Sequence, residues 1–183
     1  RGRYPRHPVL SLEKDRAGQL GSLVAAALGG ATVDSSVLGT HSRDRLAARV
    51  TLSHGHLERV APGLYRLELP RAPGAVTSGT LGLHRQQRTL PLSLGGPVEE
   101  SVRMTLTLGE GLEPAARPKP VEIRNGVGTL TRTVTFDDRV LTVETTLTIT
   151  KSCVAPEEYP DLRALLSALE APGASQLLVR DTR

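Results

Sequence analysis

The chain has 183 residues, a formal net charge of +4 and one cysteine, so it is long enough for a sizeable core and has no internal disulfide. With one Phe, three Tyr and no Trp, it is poor in the aromatic side chains that stack on single-stranded nucleic acid. The arginines are scattered singly, and no apolar run reaches the roughly 18–20 residues of a membrane span. The composition therefore argues against a nucleic-acid partner and against a membrane span in this chain.

The N-terminal part begins with a proline-containing segment, residues 1–8, which we interpret as a linker. Because the first residue is Arg1 rather than a start methionine, we expect the chain to be a piece of a longer protein. Residues 12–28 are predicted to form a helix, since apolar residues recur at three- and four-residue spacing before Gly29-Gly30. The predicted apolar stripe consists of Leu20, Leu23, Val24, Ala27 and Leu28.

From Ala31 onward the apolar period changes to two, which is typical of β-strands. Strands are predicted over residues 33–38, 46–52 and 65–69. Residues 71–80 are rich in Gly, Pro and small polar residues, and we place a domain boundary there. Residues 9–70 are then a helix with strands and residues 71–183 a β-sandwich with a terminal helix, with one continuous domain as the alternative.

The alternation is strongest in the C-terminal half, where strands are predicted over residues 101–108, 129–136 and 140–150. Their threonine-rich faces are typical of antiparallel sheets with one side in solvent. A second helix is predicted after Pro156, with one apolar face made of Tyr159, Leu162, Leu165, Leu166 and Leu169. Residues 176–179 are predicted to add a final edge strand. The expected fold class is α+β, mainly β: an antiparallel β-sandwich-like module with two peripheral helices.

Few residues in the sequence are candidates for chemistry. A cysteine nucleophile needs a base, and Cys153 follows all five histidines without a local nucleophile motif; the histidines are His7, His41, His54, His56 and His84. We therefore interpret Cys153 as a small, semi-buried structural residue. His54 and His56, in a His-Gly-His sequence, could supply two metal ligands, but no third lies nearby in the sequence.

Two further patterns also fit structural roles better than functional ones. Asp137-Asp138 suits a hairpin turn better than a calcium loop, which needs more oxygen ligands at ordered spacing. The glycines within residues 79–82 and 109–111 lack the lysine and the strand–helix context of a phosphate-binding loop. The sequence therefore predicts no catalytic, cofactor-binding or metal-binding residue.

Four segments, taken in order, resemble the region that follows the catalytic core in bacterial transglutaminase-like proteins of the cell envelope. They are residues 15–20 leading into 29–33, residues 65–70, residues 88–92 with the pattern R-x-x-P-L, and residues 154–163 with the pattern P-x-x-Y-x-x-L-R. The resemblance implies a C-terminal β-domain of unknown function, beside a transglutaminase-like domain that holds a Cys, His and Asp triad. None of those three residues can be carried over to this chain.

We therefore expect a non-catalytic accessory or structural β-module of the bacterial cell envelope or periplasm. Its expected partner is an upstream transglutaminase-like domain of the same protein, beside which it packs. The alternative is a peptide- or glycan-binding module, because sheet edges can capture extended peptides. A third hypothesis places a small enzyme or metal centre at His54, His56 and Cys153.

Overall fold

The computed structural model describes residues 2–3, 16–27, 31–41, 45–53, 57–69, 76–83 and 85–183. Within these ranges the chain forms two α-helices, α1 (Arg16–Ala27) and α2 (Tyr159–Glu170). The strands, in chain order, are β1 (Gly2–Arg3), β2 (Thr32–His41), β3 (Arg45–Ser53), β4 (Glu58–Ala61), β5 (Leu64–Glu68), β6 (Leu92–Ser93), β7 (Val98–Thr107), β8 (Leu112–Ala116), β9 (Val121–Arg124), β10 (Gly128–Asp137), β11 (Val140–Ile149), β12 (Cys153–Val154) and β13 (Gln176–Asp181). The prediction of a mainly β fold with two helices is confirmed.

The largest sheet has seven strands in the order β2-β3-β1-β7-β11-β10-β9, and all its neighbours are antiparallel. Its centre consists of the three ten-residue strands β7, β10 and β11, which the alternating pattern predicted. Since side chains alternate between the two faces of a strand, the pairing of Leu130 with Leu147 and of Phe136 with Leu141 collects the apolar residues on one face.

Two different structures cover this apolar face. At one end of the long strands, the fully buried Leu130, Leu147 and Ile149 share a core with α2, including Leu162 and Leu165. At the other end, Val134 and Phe136 of β10 and Leu141 and Val143 of β11 share a second core with a four-stranded sheet of order β4-β5-β13-β8. We call these the helix-covered end and the sheet-covered end.

A buried arginine lies between the two ends. Arg132 is 5% exposed, and its row on the apolar face also contains Thr145 and Val102. Its Nε donates to Thr145 Oγ1 at 3.3 Å, and its Nη2 donates to the carbonyl of Leu169 at 3.4 Å. Because cations are favoured at helix C-termini, Arg132 joins the sheet to the last turn of α2.

The final strand is not an edge strand, contrary to the prediction. β13 lies between β5 and β8 and pairs with both. Leu177 and Val179 are fully buried because the strand lies inside the sheet and packs onto the seven-stranded sheet. The strands β4 and β5, which precede residues 71–80, thus share a sheet with β8 and β13, which follow them.

The helix α1 packs on β2 at a point where only a small residue fits. A Cβ built on Gly21 would lie 3.0 Å from a methyl carbon of Val33 and 3.2 Å from Cβ of Ser36. Ser36 also donates its hydroxyl to the carbonyl of Ala17 in the first turn of the helix. Gly21 therefore allows a close contact between the helix and the sheet, although glycine lowers helix propensity.

The predicted apolar stripe of α1 is only partly correct. Leu20 and Ala25 are buried, whereas Leu23 is 48% exposed. The helix presents its Gly21 side to β2, and this orientation leaves Leu23 toward solvent. Neither helix of the described ranges has the length and apolar character needed to cross a membrane.

One glycine of the large sheet is required by a close approach of two backbones. A Cβ built on Gly128, the first residue of β10, would lie 1.9 Å from the carbonyl oxygen of Thr148. The amide groups of Val127 and Gly128 both donate to the side-chain oxygen of Asn125 at 3.1 Å, which shapes the turn before the strand. Position 128 therefore accepts no side chain without movement of the backbone.

Candidate interaction surface

The lone cysteine lies on a two-residue strand at the surface. Cys153 is exposed and has a free thiol, and its backbone pairs with Ser93 where β12 meets β6. Two residues before it, Lys151 forms an ion pair with Glu158, the residue directly before α2. Cys153 is therefore exposed rather than semi-buried, because side chains alternate along β12: Val154 points into the helix-covered core, and Cys153 faces away from it.

The predicted histidine candidates cannot be assembled into a site. His7, His54, His56 and His84 lie outside the described residues, and His41 is the last residue of β2. In the ranges that the structure describes, no group of three or more His, Cys, Asp and Glu side chains could hold a metal ion. The hypothesis of a centre at His54, His56 and Cys153 stays a prediction.

The pair Asp137-Asp138 forms part of a hairpin turn, as predicted. Asp137 pairs with Val140, and the two residues between them have positive φ angles, 41° at Asp138 and 64° at Arg139. Two-residue turns of this kind match the twist of the flanking strands. The geometry therefore explains both aspartates by chain reversal.

The two glycine-containing segments are also turns. Residues 78–83 form successive turns, and the amide of Ser78 donates to the carboxylate of Glu170 at 2.6 Å. Residues 109–111 connect β7 to β8, and the carbonyl of Gly111 accepts hydrogen bonds from the amide and hydroxyl of Thr182. Both segments tie loops to later parts of the chain, which is a structural role.

Two segments far apart in the sequence, residues 85–92 and the start of α2, come together in the structure. The buried Tyr159 donates its hydroxyl to the carbonyl of Arg85 at 2.9 Å, and the guanidinium of Arg88 lies over its ring, 5.7 Å from the ring centre. One turn later on α2, Arg163 donates to the carbonyl of Gln86 at 3.2 Å. The patterns R-x-x-P-L and P-x-x-Y-x-x-L-R thus form one contact, with β6 and β12 pairing beside it.

The start of α2 is held by a second set of contacts on the same side. Glu158 accepts hydrogen bonds from the side-chain ammonium of Lys151 and, at 3.1 Å, from the amide of Ala155. Both bonds favour the charged carboxylate, so they lower the pKa of Glu158, the larger effect being that of Lys151. The segment that leads into the helix is therefore fixed at neutral pH.

The segment of residues 85–92, which is tied to α2, presents an apolar side chain to solvent. Leu90 is 72% exposed, the largest exposure of any large hydrophobic side chain in the described part of the chain. The contact of this segment with α2 also involves Arg85, Arg88 and Arg163, none of which forms an ion pair with another described residue. We call these four residues the arginine–leucine surface.

An apolar side chain held in place among arginines is typical of protein–protein contacts. Interfaces are enriched in arginine, and their energetic centre is usually a hydrophobic anchor that fills a pocket of the partner. Because the backbone of residues 85–92 is already tied to α2, a partner would order little additional chain on binding. The surface is therefore suited to bind an apolar pocket that is lined by acidic groups.

Sequence reasoning identified both segments of this surface but not their contact. Arg85, Leu90 and the exposed side of Arg163 carry no motif of their own, and the two segments are more than sixty residues apart. One feature of the sequence could have indicated the surface: a run of Arg and Gln residues is followed closely by Pro91. Such a run marks an exposed segment rather than a strand.

Comparisons with known proteins give a family and one structural neighbour. Residues 65–179 match the model of a domain of unknown function for which a structure has been solved, DUF3858. The crystal structure of a candidate protease from Parabacteroides distasonis has a similar fold, with a TM-score of 0.58 and 25% identity. The match covers 64% of this chain and 23% of that protein, so the chain spans about a quarter of its length. No curated protein sequence matches the chain.

Proposed function

Because the chain belongs to the DUF3858 family, we propose that it is a non-catalytic accessory module of a larger, transglutaminase-like protein of the bacterial cell envelope. In this proposal the module packs against the catalytic domain and helps to position it. The observation that carries the proposal is the arginine–leucine surface, in which Leu90 is held at 72% exposure by contacts of its own segment with α2. Leu90 belongs to neither of the two cores that the described residues form.

The size of the structural neighbour supports an accessory role. That protein is described as a candidate protease, and the part similar to this chain accounts for 23% of it. Most of that protein is therefore available for the chemistry its description names. By analogy, the catalytic groups of the protein to which this chain belongs would lie in another domain.

The surroundings of Cys153 also support a non-catalytic role. A reactive thiolate needs a neighbouring base or cation that is free to act on it. The nearby Lys151 and Glu158 bind each other instead, and the backbone of Cys153 is engaged in the pairing with Ser93. The thiol is therefore at the surface of a structural element.

The proposed contact is a hydrophobic anchor within a positively charged rim. Leu90 would enter an apolar pocket of the catalytic domain, while Arg85, Arg88 and Arg163 would face carboxylates around it. Removal of the anchor should increase the dissociation rate, whereas reversal of a rim charge should mainly slow association and change its salt dependence.

Binding between the chain and the separately produced transglutaminase-like domain tests the proposal. We expect saturable binding by calorimetry that Leu90→Asp weakens at least about tenfold, equivalent to about 1.4 kcal/mol. Leu23→Asp is the matched control, because Leu23 is also an exposed leucine but lies on α1. This control should bind as the unchanged chain does.

A second measurement addresses catalysis directly. The isolated chain should not turn over glutamine-donor or peptide substrates, with or without Cys153→Ala. Turnover that survives Cys153→Ala but disappears on substitution of another residue would overturn the proposal. Absence of binding to the catalytic domain would also overturn it.

A further inference from the structure

The two principal sheets end in four edge strands, and these differ in how they are protected. Within the described residues, the seven-stranded sheet ends at β2 and β9, and the four-stranded sheet ends at β4 and β8. An unprotected edge offers free backbone groups to another chain, so proteins shorten edge strands or place charges and prolines on them. Three of the four edges follow this rule.

The protected edges are short and carry charges or prolines. β9 has four residues, among them Glu122 and Arg124, and follows Pro118 and Pro120. β4 also has four residues and contains Glu58 and Arg59. β8 contains Glu113 and Pro114, and its Pro114 has no backbone N–H to donate.

The edge strand β2 lacks these protections. It is ten residues long, contains no proline, and has Asp34 as its one acidic or basic residue other than His41. Val37 is 59% exposed and Val33 is 36% exposed. Between two register shifts against β3, the segment 35–38 pairs regularly, and it contains no charged side chain.

We propose that β2 is a self-association edge, at which two copies of this chain pair their β2 strands antiparallel and join their seven-stranded sheets. An isologous contact of this kind is closed, because each copy uses the same edge. The pairing satisfies backbone groups along an edge that has no further strand beside it in the described part of the chain, as in other cases of strand addition. The inference is independent of the proposed docking of Leu90, which lies on a different segment.

The composition of β2 fits a second copy of itself. Antiparallel pairing centred on Val37 places the two Val37 residues opposite each other at the two-fold axis and on the same face of the joined sheet, where apolar side chains can pack across the strands. The two Asp34 residues then lie about six residues, or roughly 20 Å, apart along the strands, which is well beyond the screening length of physiological salt. Like-charge repulsion, which opposes many strand pairings, is therefore weak here.

Sedimentation equilibrium of the chain over about 1–200 µM tests the proposal. We expect the mean mass to rise with concentration from 19.5 kDa toward twice that value. Val37→Lys places a charge at the axis in each copy and should move the monomer–dimer midpoint at least about tenfold higher. Val60→Lys is the matched control, because Val60 is also an exposed valine on an edge strand, β4, and should leave the dimer unchanged.

Hydrogen exchange of the unsubstituted chain gives a test that does not depend on a variant folding. The amides of β2 should exchange more slowly at high than at low chain concentration, while those of β4 and β9 should not change. A chain that stays monomeric throughout the range, or a dimer that Val37→Lys does not weaken, would overturn the proposal. A monomer that takes up extended peptides at β2 would also overturn it, in favour of a peptide-binding module.

Discussion

The two ends of the seven-stranded sheet use the same strands but are covered in different ways. At the helix-covered end, the apolar positions of β10 and β11 pack against the leucines of α2. At the sheet-covered end, the next positions of the same strands pack against β5 and β13. The apolar alternation along β10 and β11 is the same at both ends, on either side of Arg132 and Thr145, so it does not determine which structure covers each end.

The sequences of the covering segments indicate which structure packs on each end of the sheet. The apolar period is 3.6 residues in α2 and two residues in β13, although the two elements are separated by only five residues. The change in period, at Pro172-Gly173, coincides with the crossing from one end of the sheet to the other. The periodicity of each covering segment therefore determines whether a helix or a strand packs on its part of the sheet face.

Truncation of a leucine in each cover should give the largest effect. Leu165 in α2 and Leu177 in β13 are both fully buried, so Leu165→Ala and Leu177→Ala should each lower the free energy of unfolding by about 2–5 kcal/mol. Denaturant unfolding followed by circular dichroism measures both. Leu90→Ala, at an exposed position, should change it by less than about 0.5 kcal/mol.

The same experiment tests whether the ends are independent. If they form one cooperative unit, each variant shifts a single transition and leaves its slope unchanged. Two separate transitions in Leu165→Ala would show that the helix-covered end unfolds alone. The helix-covered end and the sheet-covered end would then be two separate units of unfolding.

Substitution of the arginine between the ends should have an intermediate effect. Arg132→Met removes the hydrogen bonds to Thr145 and to the Leu169 carbonyl, and should cost about 1–3 kcal/mol because a buried carbonyl loses its donor. Arg132→Lys keeps the charge without the planar fork and should recover part of this loss. If Arg132→Met is more stable than the unchanged chain, desolvation of the guanidinium outweighs its hydrogen bonds.

The ion pair at the start of α2 should give the smallest effect, and one that depends on pH. The pKa of Glu158 is lowered on folding, so this group stabilises the fold above its ordinary pKa of 4.5 and less so as the pH falls through its folded value. Lys151→Met should raise the pKa of Glu158 in an NMR titration. It should also reduce the melting temperature at neutral pH.

The control for the ion pair is its neighbour on the same turn. Glu157→Gln changes the charge of the first turn without touching Lys151, so it should leave the titration of Glu158 nearly unchanged. The difference in melting temperature between Lys151→Met and the unchanged chain should shrink at acid pH. A difference that persists there would assign the effect to packing of the lysine stem.

The long elements could be predicted from the sequence because their periodicity is local. β7, β10, β11 and α2 each carry a long periodic pattern, interrupted on the apolar face of β10 and β11 only by Arg132 and Thr145, and the structure has them where the pattern predicts. The internal position of β13 could not be predicted, because its partners β5 and β8 are distant in sequence and pairing leaves no local signature. The short strands β4, β8 and β9 contain charges or prolines that obscure the alternation.

The candidate surface could be predicted only in part, for the same reason. The segments around Arg88 and Tyr159 were recognised separately as family-like patterns. Their contact depends on how α2 packs on the sheet, which places the hydroxyl of Tyr159 near the backbone of residue 85. The exposure of Leu90 follows from that packing and has no marker in the sequence.

The glycine at the start of β10 has a consequence for how the strands find their alignment. Sliding β10 by two residues along β11 would keep every apolar side chain on its proper side, so the alternating pattern alone would tolerate the error. Such a slide can bring Leu130 to the point where the strands approach most closely, and a Cβ there meets the Thr148 carbonyl oxygen. Gly128 therefore opposes a slide of β10 in this direction, an error of alignment that the alternating pattern alone would allow.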